Sequence, residues 1–124
     1  MKNQKGQVLV VLLFFILAAI TVISVAVSLI FVNSTSASKF EQGVYAYSIS
    51  ESGAENALMR LIRNPNYSGE TLLVGGGSVT ITVTGTTAKT IIAEGTYKDF
   101  YRKVAVQASY AGGFLTVTSW KEIQ

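Results

Sequence analysis

The chain opens with an unbroken apolar segment. Residues 8–32 contain no charged side chain, and their only hydroxyl groups belong to Thr21, Ser24 and Ser28. A helix rises about 1.5 Å per residue and the hydrocarbon layer of a bilayer is about 30 Å thick, so the segment is long enough to cross a membrane. The pattern therefore predicts a transmembrane helix over residues 7–32.

The next segment, residues 33–64, has the apolar period of an amphipathic helix. Nothing between Val32 and Asn33 interrupts a helix, whereas Pro65 ends one because it biases the residue before it away from the helical conformation. We predict one long helix from about residue 8 to about residue 63, able to bend at Gly43 and Gly53. Its apolar stripe is predicted to pack on the rest of the domain through Phe40, Val44, Tyr47, Ala54, Leu58 and Leu61.

After Pro65 the period changes to two, which is typical of strands. The alternation predicts strands at residues 78–85, 90–98, 101–110 and 114–120, with a candidate fifth at 70–74. The connections are short, so adjacent strands should be antiparallel. Some sixty residues are too few for an independent core, so the helix stripe should cover one sheet face. The predicted fold is α+β, a long N-terminal helix packed on an antiparallel β-meander of four to five strands, with residues 65–124 as the β head.

The charges before the apolar segment set its direction. Lys2 and Lys5 mark the leading segment as cytoplasmic by the positive-inside rule, which places the chain beyond Asn33 outside. Such a span can be a cleaved secretory signal, a permanent signal anchor or a prepilin leader. Secretory cleavage after Ala37 is disfavoured, because the apolar segment is about twice the usual length for such a signal.

The junction Lys5-Gly6-Gln7 resembles the signal of type IV prepilins, a short basic leader that ends in glycine before the apolar helix. This resemblance implies that residues 1–6 are a leader and that a prepilin peptidase cuts between Gly6 and Gln7. Gln7 would then become an N-methylated terminus. The alternative is an ordinary loop-to-helix start with Gly6 as the N-cap.

Two further features favour a minor subunit. Major pilins carry a Glu as the fifth residue of the mature chain, where this sequence has Val11. The segments KGQVLVVLLFFIL and YSISESGAENAL resemble those of PilX-type minor pilins, which generally lack that Glu. TadE-like pseudopilins begin similarly but continue with a Glu-Phe pair and usually a proline that are missing here.

The resemblance implies a structural minor subunit of a type IV pilus or of a type II secretion-like pseudopilus. Its partners would be other pilin subunits, the prepilin peptidase, the pilus assembly platform and the membrane. It would cross the cytoplasmic membrane once, with its C-terminal domain outside, before assembly into an extracellular pilus or periplasmic pseudopilus. Small and hydroxyl side chains permit close helix approach, and the expected assembly interface consists of Val11, Phe14, Phe15, Ala18, Ala19, Ser24 and Ser28.

Composition offers little for catalysis. The chain has no Cys and no His, so the commonest metal ligands and the commonest general base are missing. We expect no enzyme activity, no catalytic residue, no metal and no cofactor. Of ten basic residues two lie in the leader, which leaves eight against seven acidic ones beyond Asn33. Dispersed, nearly balanced charges argue against direct nucleic-acid binding.

The remaining polar and aromatic residues give structural expectations. Glu51 and Glu55 share a helix face, and Glu51 is expected to meet Arg102 or Lys103 of the sheet. Tyr97 and Tyr101 are expected to be neighbours across a hairpin, and Trp120 is expected to be free for a contact. The alternative function is a signal-anchored extracytoplasmic binding module that uses its sheet to hold a ligand and never enters a fibre.

Overall fold

The computed structural model describes residues 4–124, so residues 1–3 of the predicted leader lie outside the described part. Helix α1 is Gln4–Arg63. The strands are β1 Thr71–Val74, β2 Gly77–Thr84, β3 Ala88–Tyr97, β4 Phe100–Ala111 and β5 Phe114–Ile123. They form one antiparallel sheet in the order β1-β2-β3-β4-β5. The predicted α+β fold, one long N-terminal helix packed on an antiparallel meander, is confirmed.

The chain divides into two compact units, one ending at Ser38 and the other comprising Lys39–Gln124. In the second unit, which we call the head, helix residues 39–63 and the strands share one core. That core contains Ile49, Ala54, Ala57, Leu61, Val79, Ile81, Val83, Ile91, Ala93, Val104 and Val106. The alternation of β2 predicts that Val79, Ile81 and Val83 share one face and that of β4 that Val104, Val106 and Ala108 do, and all six are buried.

The helix packs on the sheet mainly through small side chains. Ala46, Ala54 and Ala57 are fully buried, whereas Phe40 and Val44 are 77% and 50% exposed. The predicted packing stripe was therefore right for Ala54 and Leu61 and wrong for Phe40 and Val44. The reason is that the helix and sheet backbones approach closely, so alanine and glycine fit at the contact where larger side chains would not.

The turn between β3 and β4 determines how the aromatic residues beside it pair. Lys98 and Asp99 form a two-residue turn with Lys98 at φ 53°, which pairs Tyr97 with Phe100 and Thr96 with Tyr101. The expected Tyr97–Tyr101 pair was therefore wrong by one residue. The Tyr97 ring instead lies 5.2 Å from that of Tyr45 on α1.

A register shift between β4 and β5 places Trp120 on the helix side of the sheet. The shift falls at Gln107 and Ala108, after which Trp120 lies opposite the buried Val106. Trp120 is partly buried and packs against the core. The expectation that it would be free for a contact was wrong, because an extra residue in one strand changes which side chains face inward.

Candidate assembly interface

The first part of α1 is exposed on every side. From Val8 to Val32 the large apolar side chains are between 48% and 74% exposed. Among the described residues, α1 is the helix long and apolar enough to cross a membrane, and its most apolar 18-residue window has a mean hydropathy of 3.2 with no part buried. The prediction of a helix able to span a membrane is confirmed. Apolar surface on this scale is stable when lipid or other apolar helices surround it.

Four of the predicted interface residues lie together on this helix. Phe14, Phe15, Ala18 and Ala19 line a shallow depression of about 430 Å³ with Val22 and Ile23. The phenylalanines form one end and the alanines leave the helix backbone accessible between larger neighbours. A second apolar helix could approach closely here, because small residues at such a contact allow backbones to come near each other.

Val11 and Gln7 lie together one turn closer to the start of the helix. They line a second shallow depression with Gln4 and Val8. Val11 is 59% exposed, and the depression that it lines is formed by two glutamines and two valines. The position that carries a Glu in major pilins therefore presents an uncharged side chain among uncharged neighbours.

The two serines of the predicted interface lie further along the helix. Ser24 follows Phe15 by nine positions, which is about 180° around a helix of 3.6 residues per turn. Its hydroxyl donates to the Ile20 carbonyl at 2.8 Å, and that of Ser28 donates to the Ser24 carbonyl at 2.9 Å. Thr21 donates in the same way to the Ala18 carbonyl at 2.8 Å. On the same geometry Ser28 lies only about 40° from Phe14, so Ser24 is the predicted residue farthest from the depression.

The predicted cleavage site lies inside the helix. Because α1 begins at Gln4, Gly6 is not its N-cap, contrary to the alternative interpretation of this position. Gly6 is exposed, and a Cβ atom there would meet no other atom within 4 Å. Packing in the described structure therefore does not require glycine at this position, where alanine would favour the helix by about 1 kcal/mol.

The charged residues of the head pair differently from expectation. Glu51 accepts a hydrogen bond from the Tyr47 hydroxyl at 2.8 Å, and this bond is the main cause that raises the pKa of Tyr47. Arg102 pairs with Glu122 at 2.8 Å and Lys103 pairs with Glu94 at 3.0 Å. The expected contact of Glu51 with Arg102 or Lys103 was therefore wrong, because these cations have closer cross-strand partners. Glu55 is exposed.

A cluster at the end of α1 was missed by the sequence analysis. The Nε atom of Arg60 lies 2.8 Å from Oε1 of Glu70, and the Tyr67 hydroxyl donates to the same oxygen at 3.0 Å. Burial and the bond to Glu70 raise the pKa of Tyr67 to about 12. Cations are favourable near the last carbonyls of any helix, so Arg60 and Arg63 alone did not indicate that Tyr67 and Glu70 fold back against them.

Comparisons of the chain with protein-family models, with curated proteins and with solved structures gave no match. Function has to be inferred from the residues themselves.

Proposed function

We propose that the protein is a minor subunit of a type IV pilus or of a type II secretion-like pseudopilus. The observation that carries this proposal is the contrast within α1. Every apolar side chain from Val8 to Val32 is exposed, while the last five turns of the same helix bury one face in a small β head. Such a helix can be held in lipid after synthesis and packed against equivalent helices in a fibre.

The leader junction supports the same proposal. Glycine is unfavourable inside a helix, yet Gly6 occupies an exposed helical position where no neighbour requires it. Recognition of this residue by a prepilin peptidase that cuts between Gly6 and Gln7 would explain why glycine stands at this position. Val11 in place of a Glu fits a minor rather than a bulk subunit.

The depression around Ala18 and Ala19 is the surface we assign to helix packing. It is lined by apolar side chains only, and its two alanines permit the close approach on which association of helices in an apolar environment depends. Other pilin subunits would supply the opposing helix. The assembly platform would move the subunit from the cytoplasmic membrane into an extracellular pilus or periplasmic pseudopilus.

Intact mass of the full chain extracted from membranes tests the proposal. The chain would be expressed with an active prepilin peptidase and, separately, with an inactivated one. We expect loss of residues 1–6 and methylation of Gln7 only with the active enzyme. Gly6→Val should retain the leader, whereas the control Gln4→Ala, which changes the same leader without touching the junction, should be processed normally.

Three results would contradict it. A leader retained with an active peptidase that processes a known prepilin in the same cells would favour the signal-anchored binding module. Cleavage after Ala37 would indicate secretion. A processed chain that never co-purifies with sheared or extracted filaments, when the other subunits are present, would exclude a fibre subunit.

A further inference from the structure

The last turn of α1 and the chain that follows it enclose a polar cleft. The Asn64 amide donates to the Arg60 carbonyl at 2.8 Å, and the Tyr67 amide donates to the Asn64 carbonyl at 3.0 Å. These bonds turn the chain back after Pro65 so that Tyr67 lies beside the helix end. The resulting cleft has a volume of about 420 Å³ and is lined by Asn56, Met59, Arg60, Arg63, Asn64 and Tyr67.

The wall of this cleft is fixed to the sheet. Oε1 of Glu70 receives both Arg60 Nε and the Tyr67 hydroxyl, and the Arg60 guanidinium lies 5.8 Å from the centre of the Tyr67 ring. The Glu70 carbonyl in turn accepts the Ile81 amide of β2 at 2.8 Å. Arg60 is therefore held in place by groups that belong to the folded head.

Several side-chain donors that line the cleft have no partner among the described residues. The side-chain oxygen of Asn56 accepts from Arg60 Nε at 3.3 Å, and that of Asn64 accepts from the Asn66 amide at 3.0 Å. Within residues 4–124, the two Nη groups of Arg60 and the guanidinium of Arg63 donate to no other side chain or carbonyl. The amide NH₂ groups of Asn56 and Asn64 are likewise unused there.

The cleft also carries a small net positive charge, which favours a negatively charged acceptor group. Arg60 and Arg63 carry two positive charges and Glu70 one negative charge. The carbonyl end of a helix adds about half a negative charge, so about half a positive charge remains. Guanidinium groups match the oxygens of carboxylate and phosphate in a two-pronged geometry.

We propose that this cleft, the Arg60–Arg63 cleft, binds an oxyanion presented from outside the head, a carboxylate or phosphate group. Arg63 and the Nη groups of Arg60 hold its charge, and the amides of Asn56 and Asn64 donate to its remaining oxygens. The oxyanion is either a free anion or an acidic side chain of a second copy. The chain itself offers exposed carboxylates without an ion pair among the described residues, at Glu41, Glu55 and Asp99.

Titration of the full chain in lipid nanodiscs tests the cleft. Inorganic phosphate and then acetate would be added at constant ionic strength while the side-chain N–H signals of labelled arginine are followed by NMR. We expect saturable shifts of the Arg60 and Arg63 signals, and at least a tenfold weaker apparent affinity in Arg63→Gln. The matched control Lys121→Gln removes one exposed positive charge from β5, outside the cleft, and should bind as the wild type does.

A second series without added anion identifies the source. If a second copy supplies the carboxylate, the same arginine signals shift as the protein concentration rises, and Glu41→Gln, Glu55→Gln and Asp99→Asn together remove that shift. If a free anion is the ligand, only added phosphate or acetate moves them. The proposal is overturned if no saturable shift occurs in either series, or if Lys121→Gln weakens binding as much as Arg63→Gln. Both titrations can be carried out whether or not the leader is cleaved at Gly6, so their outcome is independent of the proposed pilin function.

Discussion

The backbone of Gly95 in β3 lies directly against the backbone of Ser50 in α1. A Cβ atom added to Gly95 would stand 2.5 Å from the Ser50 amide nitrogen and 2.9 Å from its Cα atom. Ser50 itself is fully buried. Helix and sheet therefore touch here through main-chain atoms, which have no side-chain rotamer to relieve a collision.

Gly95→Ala should destabilise the head by about 3 kcal/mol, because the added methyl group forces the helix away from the sheet. The control is Gly43→Ala, where the new Cβ would lie 3.4 Å from the flexible end of Arg102. Its higher helix propensity should stabilise the head by about 0.5–1 kcal/mol. Urea unfolding of the full chain in detergent, followed by the fluorescence of Trp120, measures both free energies, and equal effects would contradict the close contact.

Two adjacent helix residues provide a matched test of the core. Leu61 is fully buried and Ile62 is 63% exposed. Leu61→Ala should lower the free energy of unfolding by about 2–5 kcal/mol, since it leaves a cavity in the core. Ile62→Ala should change it by no more than about 0.5 kcal/mol. A large loss of free energy of unfolding in Ile62→Ala would show that another surface covers Ile62 under the conditions of the measurement.

Tyr67 should make the stability of the head depend on alkaline pH. Its pKa is raised from 10.0 in the unfolded chain to about 12 in the folded head, by burial and by its bond to Glu70. The neutral phenol therefore contributes its full stability below pH 10, and this contribution is lost as the pH rises from 10 through 12. We expect the free energy of unfolding to fall less steeply over that window in Tyr67→Phe than in the wild type.

The control for this pH dependence is Tyr101→Phe, an exposed tyrosine without a bond to a carboxylate in the described structure. It tests whether a change of slope is specific to the Tyr67 hydroxyl. Glu70→Gln should behave like Tyr67→Phe in part, because it removes the negative charge that disfavours the phenolate. An unchanged slope in Tyr67→Phe would refute the assignment.

The proposed packing surface on the apolar helix can be separated from the opposite face. Ala18→Trp fills the depression between Phe14 and Val22, so incorporation into filaments should fall by about tenfold or more, equivalent to a loss of about 1.4 kcal/mol in packing. Ser24→Ala removes only a hydroxyl that bonds to its own helix and should assemble normally. Filament and membrane fractions would be compared by immunoblot. A larger loss of incorporation in Ser24→Ala than in Ala18→Trp would place the interface on the side of the helix that carries Ser24.

The strand periodicity gave the correct inward faces of β2 and β4, because alternation reports directly on a sheet with one buried side. It could not give the position of Trp120, since the β4–β5 register shift depends on tertiary pairing rather than on alternation within one strand. The Lys98-Asp99 turn shows the same limit, as one residue more or less in a connection changes every cross-strand neighbour.

The helix face was harder to predict, because hydrophobic periodicity gives most weight to large side chains. Besides Ala54 and Leu61, the contact is made by Ala46, Gly53 and Ala57, and a Cβ atom on Gly53 would collide with Val79. The Arg60–Arg63 cleft was missed for a related reason. Most of its lining comes from the last two turns of α1, and Tyr67 closes it from the segment after Pro65, whose return path depends on the hydrogen bonds of Asn64 and Glu70.

The back-bonded hydroxyls of the apolar helix have a consequence for movement between environments. Thr21, Ser24 and Ser28 each donate to a carbonyl of their own helix. No neighbour has to supply an acceptor for them, whether that neighbour is an acyl chain or a protein side chain. The segment can exchange one apolar surrounding for another without breaking these three bonds. The free-energy difference between the two surroundings therefore depends on shape complementarity and contact area.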